Sequence, residues 1–276
     1  MLNTRTIIIL CLLLLLQSCR VRSHHRVNDS CVNEKTLEEQ RTWEHSISKT
    51  FDEVGYPILD DTVPSIILEK RYYTLSYNPE TKIPNWVAWH LTAEHTDGPW
   101  SRLKNFYEDE EAPIPRATLD DYRHSGWTRG HMCPAGDNKW DSLAMYETFV
   151  LTNICPQNEK LNNGLWNSIE NDCRKWARKY GDIYIVCGPV FMQREHETIG
   201  ENRVVVPEAF FKVVLCLNGT PKGFGFIVRN TEGTKKKDLY YNSIDDIERI
   251  TQMDFFSDLP DSIEDIVESQ CNINDW

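Results

Sequence analysis

The chain has 276 residues, 40% apolar and 11% aromatic, a composition that excludes a disordered polymer and is ample for a packed core. Its formal charge of −12 argues against a protein that grips polyanions through bulk positive charge. The acid is uneven, however. Glu108, Asp109, Glu110 and Glu111 form one run and residues 245–275 another, whereas residues 116–178 hold Arg123, Arg129, Lys139, Lys160, Arg174, Lys175 and Arg178. That distribution is compatible with a locally positive cleft on an acidic body.

In chain order, residues 1–18 read as an export signal: Arg5 precedes the apolar run 7–16, which is too short to span a bilayer. Leu16-Gln17-Ser18-Cys19 is similar to a bacterial lipobox. It predicts acylation of Cys19, hence a membrane anchor and a periplasmic or outer-membrane lipoprotein, with simple secretion as the alternative. Residues 19–54 are expected to form a tether and 55–276 a single domain. Of the nine cysteines, Cys11 and Cys19 fall in the leader region. An exported chain can oxidise the rest, and a Cys133–Cys155 bridge is one expectation. A zinc module on His131, Cys133, Cys155 and Cys173 has no supporting spacing.

Within the domain, alternation predicts a strand over 71–77, bounded by Asn78-Pro79, and a second over 86–91. The Pro-rich acidic stretch 94–120 is expected to be a surface loop. A short strand over 126–132 carries His131, a helix follows over 141–149, and a short strand is expected over 150–154. Leu165, Ile169, Cys173, Trp176 and Tyr180 recur at helical spacing, predicting a helix over 164–180 that stops at Gly181. A buried-type strand follows over 182–187. Residues 209–217 and 223–228 flank a turn at Asn218-Gly219, a hairpin signal. Ser243-x-x-Asp246 caps a helix over 243–253. Strands and helices without strict alternation argue for an α+β fold rather than a doubly wound sheet.

The chemistry concentrates between residues 128 and 170. His131 is a candidate general base, because a neutral imidazole is available near neutral pH. Arg129 can neutralise a phosphate. Asn162 offers an amide oxygen to a hard cation such as Mg2+ (or Mn2+), which needs few protein ligands because it retains water. Glu170, eight residues on, shares a helix face with Asn162 if the helix already begins there, and can hold water bound to the ion. Asn153 can orient the base or a ligand, and Lys82 is a possible second phosphate contact. Each has a plainer reading alone: Asn162 as a helix cap, Glu170 as an exposed carboxylate, Arg129 in a surface ion pair, Asn153 in a turn, Lys82 as a solvated loop lysine.

Read together, Arg129-Gly130-His131, Pro134-Ala135, Asn153-Ile154, Pro156-Gln157, Leu161-Asn162, Gly164, Trp166 and Glu170 resemble the signature of the DNA/RNA non-specific endonuclease family. The resemblance implies a ββα-metal (His-Me finger) nuclease fold with a central antiparallel sheet and flanking helices. It implies metal-dependent hydrolysis of DNA and RNA, Mg2+ as the usual ion, His131 as base, Asn162 as the direct ligand and Glu170 as an outer one. Arg129 and Asn153 would support the transition state, and Lys82 would stand loosely where the family often has arginine, without arginine's bidentate fork. One residue departs: Thr128 occupies the aspartate position of the signature. Two other readings are therefore kept: a catalytically weak nucleic-acid-binding protein on the same fold, and a phosphodiesterase acting on another substrate. A homodimer is one expected assembly.

Overall fold

The structure is a computed structural model that describes residues 51–232 and 236–276. The expected export signal, Cys19 anchor and most of the tether lie outside the described residues. The tether ends sooner than expected, because Phe51 and Val54 are already buried and Phe51 stacks on Tyr56 at 5.0 Å.

Seven strands build one antiparallel sheet. They are β1 (Ile66–Glu69), β2 (Thr74–Asn78), β3 (Ile83–Thr92) and, after an excursion, β6 (Asp182–Val190), β9 (Ala209–Cys216), β10 (Lys222–Arg229) and β11 (Tyr241–Asn242). Their spatial order is β1-β2-β3-β6-β9-β10-β11. The excursion between β3 and β6 contains a second ladder, β4 (Thr128–His131) with β5 (Ile154–Gln157), and a two-residue pair, β7 (Thr198–Ile199) with β8 (Val204–Val205), follows β6. Apart from a single α-helical turn at Glu159–Leu161, the α-helices are α1 (Leu119–Tyr122), α2 (Ser142–Glu147), α3 (Asn167–Tyr180), α4 (Ile244–Thr251) and α5 (Asp261–Ser269) among the described residues.

Alternation along β10 explains how both faces of the sheet are covered. Phe224 and Phe226 point to the face that receives α3, where Phe224 meets Trp176 edge-on at 5.5 Å. Gly223 and Gly225 point to the opposite face, where side chains would collide with α4 and α5. A Cβ on Gly223 would lie 2.6 Å from Ile244 Cδ1, and one on Gly225 2.3 Å from Ile247 Cδ1. Phenylalanines on one face and glycines directly opposite on the other let helices pack closely on both. α3 buries Ile169, Cys173 and Trp176 of the expected stripe, together with Ala177, while Tyr180 at its end is half-buried and Leu165 is buried in the turn before it.

Three local expectations need correction. Residues 150–154 are not a strand: Leu151–Asn153 form a 3-10 turn, and β5 begins at Ile154. The stretch 94–120 is not simply a surface loop, since Thr96, Asp109, Ala112 and Ala117 are buried and Asp109 accepts from the Thr152 hydroxyl at 2.5 Å. Cys133 and Cys155 form no bridge; both are buried free thiols, as are Cys173, Cys187 and Cys216. Cys155 pairs across the ladder with Gly130, whereas Cys133 lies beyond the end of β4. The strands at 66–69, 198–199 and 204–205 are too short for alternation to mark them, and the helix at 261–269, with Ile263, Ile266 and Val267 at helical spacing, adds to the expected elements.

Candidate active site

β4, β5 and the helical segment leading into α3 form a strand–strand–helix unit. Gly130 lets the two strands close tightly, because a Cβ there would sit 2.3 Å from Gln157 Oε1. His131 ends β4 with only 4% of its surface exposed. Its ring packs edge-on against Phe149 at 4.9 Å and against Phe106 at 5.3 Å. Its main chain is fixed as well, since the Trp166 indole donates to the His131 carbonyl at 3.4 Å. Nε2 of His131 is buried and has no hydrogen-bond partner among the described residues. Burial, then the nearby guanidinium charges of Arg102 and Arg129, push its pKa down to about 3, so the imidazole is neutral.

Asn153 takes partners other than the expected ones. Its amide oxygen accepts from Cys133 N at 2.9 Å, and its amide nitrogen donates to the carbonyls of Cys133 and Thr148, each at 2.9 Å. The side chain is a clip between the two arms of the motif. It fixes the chain just beyond His131 and has no bond to the imidazole.

Asn162 lies opposite, half-buried, in a wide π-type turn (Asn162–Trp166) that precedes α3. Its amide orientation follows from donor accounting. The Thr128 hydroxyl has one proton and gives it to the Gln157 carbonyl at 2.8 Å. Thr128 Oγ1 can then only accept, and it does so from Asn162 Nδ2 at 3.1 Å. Oδ1 of Asn162 is thereby the atom left for another partner. The departure from the family signature falls on this ligand candidate rather than on the base: threonine keeps the acceptor that an aspartate would supply and drops its charge.

Arg102, His131, Pro134, Asn162, Asn163, Asn167 and Glu170 line a polar cleft of about 260 Å3. Glu170 is pushed up to about 7, chiefly by burial, against the pull of Lys212 and Arg174. Lys212 is fully buried, with Nζ held 4.8 Å from the Trp89 ring and 4.7 Å from that of Trp166. Arg174 pairs with Asp137 at 2.6 Å, and Asp137 also accepts from the Trp89 indole at 3.1 Å.

The structure thus brings together His131, Asn162 and Glu170. Arg129 is exposed beside this lining, on the same face of β4 as His131, with its guanidinium 4.6 Å from the Phe106 ring. Lys82 does not join them. Its φ of 62° sets it in a left-handed turn, and Nζ donates to the Glu80 carbonyl at 2.9 Å, in a separate buried site lined by Asp109 and Arg116. The cation that enters the cleft is instead Arg102, which lies over Phe149 at 5.2 Å. No local signal in the sequence marks it. Arg174 did carry a signal, standing four residues after Glu170 and hence on the same helix face.

The oxygen-only donors of Asn162 and Glu170 beside an unpartnered imidazole fit a hard divalent cation better than a soft one. The chain is also similar to known proteins. The family model for the DNA/RNA non-specific endonuclease matches residues 48–262. The mitochondrial nuclease EXOG of Xenopus laevis is 35% identical over 250 residues, covering 83% of this chain and 69% of that protein. Human mitochondrial endonuclease G is 38% identical over 157 residues, 53% of each chain. In the crystal structure of the EndoG/EndoGI complex, one chain superposes with a TM-score of 0.71 at 25% identity, covering 82% of this chain and 99% of that one. Across EXOG relatives the match spans between 49% and 69% of their length. The chain belongs to the DNA/RNA non-specific endonuclease family, and its antiparallel α+β fold is that of an endonuclease G.

Proposed function

We propose that this family member is a metal-dependent endonuclease that hydrolyses phosphodiester bonds of DNA and RNA with little sequence preference. The observation that carries the reading is the buried, unpartnered Nε2 of His131, which borders the same cleft as Asn162 and Glu170. Such an atom is costly unless a ligand or water completes it. Mg2+ is the proposed ion, with Asn162 Oδ1 as direct ligand and Glu170 behind it. When bound, it neutralises charge that develops on the phosphate and the leaving oxygen.

His131 takes the proton from the attacking water. In the free cleft Arg102 and Arg129 disfavour the imidazolium. A phosphodiester anion between them offsets that charge, so substrate raises the basicity of the group that must act on it. Arg129 and Arg102 hold the phosphate from the exposed side. Asn153 positions the chain after His131, and Thr128 turns the Asn162 amide so that its oxygen is presented. The contacts are to backbone phosphate, which suits cleavage with little base readout. Export with a lipid anchor at Cys19 is proposed for the segment outside the described residues.

The test is incubation of purified protein with supercoiled plasmid and with RNA, in Mg2+ and in EDTA, beside His131→Ala. Cleavage of both substrates in Mg2+ alone, reduced by about 10²- to 10⁴-fold in the variant, is expected. Intact substrates across Mg2+, Mn2+ and Ca2+ would defeat this reading in favour of a binding protein. Cleavage of a small diester but not of plasmid would favour a different phosphodiesterase.

A further inference from the structure

A second cluster of oxygen ligands lies on the C-terminal helix pair, which contributes no residue to the cleft lining. Asp245 and Glu248 stand three residues apart on one face of α4, and Glu268 faces them from the last turn of α5. One carboxylate oxygen from each lies within 4.8 Å of the other two. That span is about twice a Ca2+–oxygen distance of roughly 2.4 Å.

Proximity of acids would by itself mean little, but Glu268 sets this cluster apart. Only 8% of its surface is exposed, and its Oε1 is buried with no hydrogen-bond partner among the described residues. It sits in the last turn of a helix whose C-terminal turn has no basic residue, where the helix dipole already disfavours negative charge. Its neighbours make matters worse. Glu248 and Asp245 from α4, Glu264 from α5 and Asp254 from the segment between the helices all raise its pKa further, after burial itself. Glu248 is pushed up in the same way and has one backbone donor, Phe255 N at 2.8 Å. Among the described residues none of the three carboxylates has an ion pair. The nearby Arg249 is committed to Asp246 at 2.7 Å. A buried carboxylate with this company is costly without a cation.

The geometry points to a structural divalent-cation site formed by Asp245, Glu248 and Glu268, selective for Ca2+. All three donors are hard oxygens, with none of the nitrogen or sulfur ligands usual in zinc sites. Exposed Asp245 leaves a solvent side for water ligands, and carboxylates on two separate helices suit the flexible coordination of Ca2+ better than the strict octahedron of Mg2+. The ion would tie α4 to α5 beneath β10.

The experiment uses the full chain carrying Asn162→Ala, so that the cleft's own proposed ion does not contribute. After stripping with EDTA, Ca2+ is titrated calorimetrically and thermal unfolding is followed with and without it. One equivalent of Ca2+ should bind, and at saturation the melting temperature should rise by roughly 5 °C. Both effects should vanish with Glu248→Gln and Glu268→Gln together. With Asn162 intact, that double variant should still cleave plasmid. Should the double variant fail to fold, exposed Asp245→Asn decides: it should weaken Ca2+ binding at least about tenfold. Unchanged Ca2+ binding in Asp245→Asn or in the double variant would overturn the site. So would the absence of any Ca2+ binding in the Asn162→Ala chain.

Discussion

Glu170 in the cleft and Glu268 on the C-terminal helix pair are both pushed toward the neutral form by burial, Glu170 to about 7 and Glu268 to about 9. Their surroundings differ in kind. Glu170 has cations behind it, Lys212 and Arg174, and Arg102 across the cleft, with Asp137 opposing them. The charges that act most strongly on Glu268 are all carboxylates. Desolvation of a carboxylate is similar wherever it happens, so the company decides whether the charge survives. The cleft is electrostatically balanced before any ligand arrives, whereas the helix pair is not.

The comparison is tested most severely by pH, because His131 in the cleft and Glu268 on the helix pair should fail at opposite ends. His131 has a folded pKa of about 3 against an ordinary 6.5. Between those values the unfolded chain binds a proton that the folded chain refuses, so stability falls as acid is added. The loss should reach about 2 kcal/mol between pH 6.5 and pH 4.5, with the slope steepening toward about 1.4 kcal/mol per pH unit as the unfolded histidine becomes fully protonated. Denaturant unfolding of His131→Asn should show a flatter acid limb. Glu268 has the opposite sign. Its raised pKa means that the folded chain keeps a proton the unfolded chain has released, so stability falls as pH rises from the ordinary 4.5 toward 9. In EDTA, Glu268→Gln should flatten that alkaline limb and leave the acid limb unchanged. A single variant that flattened both limbs would break the distinction.

Lys212→Met would make the cleft more like the helix pair. Without the buried cation Glu170 should be harder to ionise, and Mg2+ affinity measured calorimetrically at pH 7 should fall about tenfold, one pKa unit's worth. The deficit should shrink by pH 9, where either form is ionised; a pH-independent deficit would point to packing instead. The smallest effect is expected from Thr128→Val, which removes the acceptor for Asn162 Nδ2 and frees the amide to turn. Mg2+ affinity should weaken about threefold to tenfold, roughly the loss of one neutral hydrogen bond. Thr128→Ser should restore it, whereas Thr128→Asp should tighten metal binding by returning a charge. Equal affinity in all of these would remove Thr128 from the positioning role.

Much of the cleft was legible because its residues lie close in sequence. Residues 128–131, 153–157 and 162–170 fall on two adjacent strands and the helix that follows, so local pattern and spacing sufficed. What failed did so where the chain turns or returns from afar. Lys82 stood in a plausible place, but a left-handed backbone folds its amine onto Glu80. Arg102 reaches the cleft from a Pro-rich stretch with no periodicity. Asn153 was recognisable as important, yet only its three bonds to main-chain atoms show that its task is to fix the chain. Asp245 and Glu268 read as parts of one solvated acidic region, because linear sequence cannot show that two helices turn these carboxylates toward each other.

The turn before α3 fixes the cleft in another way. Eight residues of ideal α-helix advance roughly 80° beyond two full turns, which would splay Asn162 and Glu170 apart. The π-type turn at Asn162–Trp166 winds less per residue and takes up part of that angle. It also places Asn162 within reach of Thr128. The site is therefore written in the count of residues as well as in their identity. Shortening this turn by one would keep every side chain named here and still turn the two ligands away from each other.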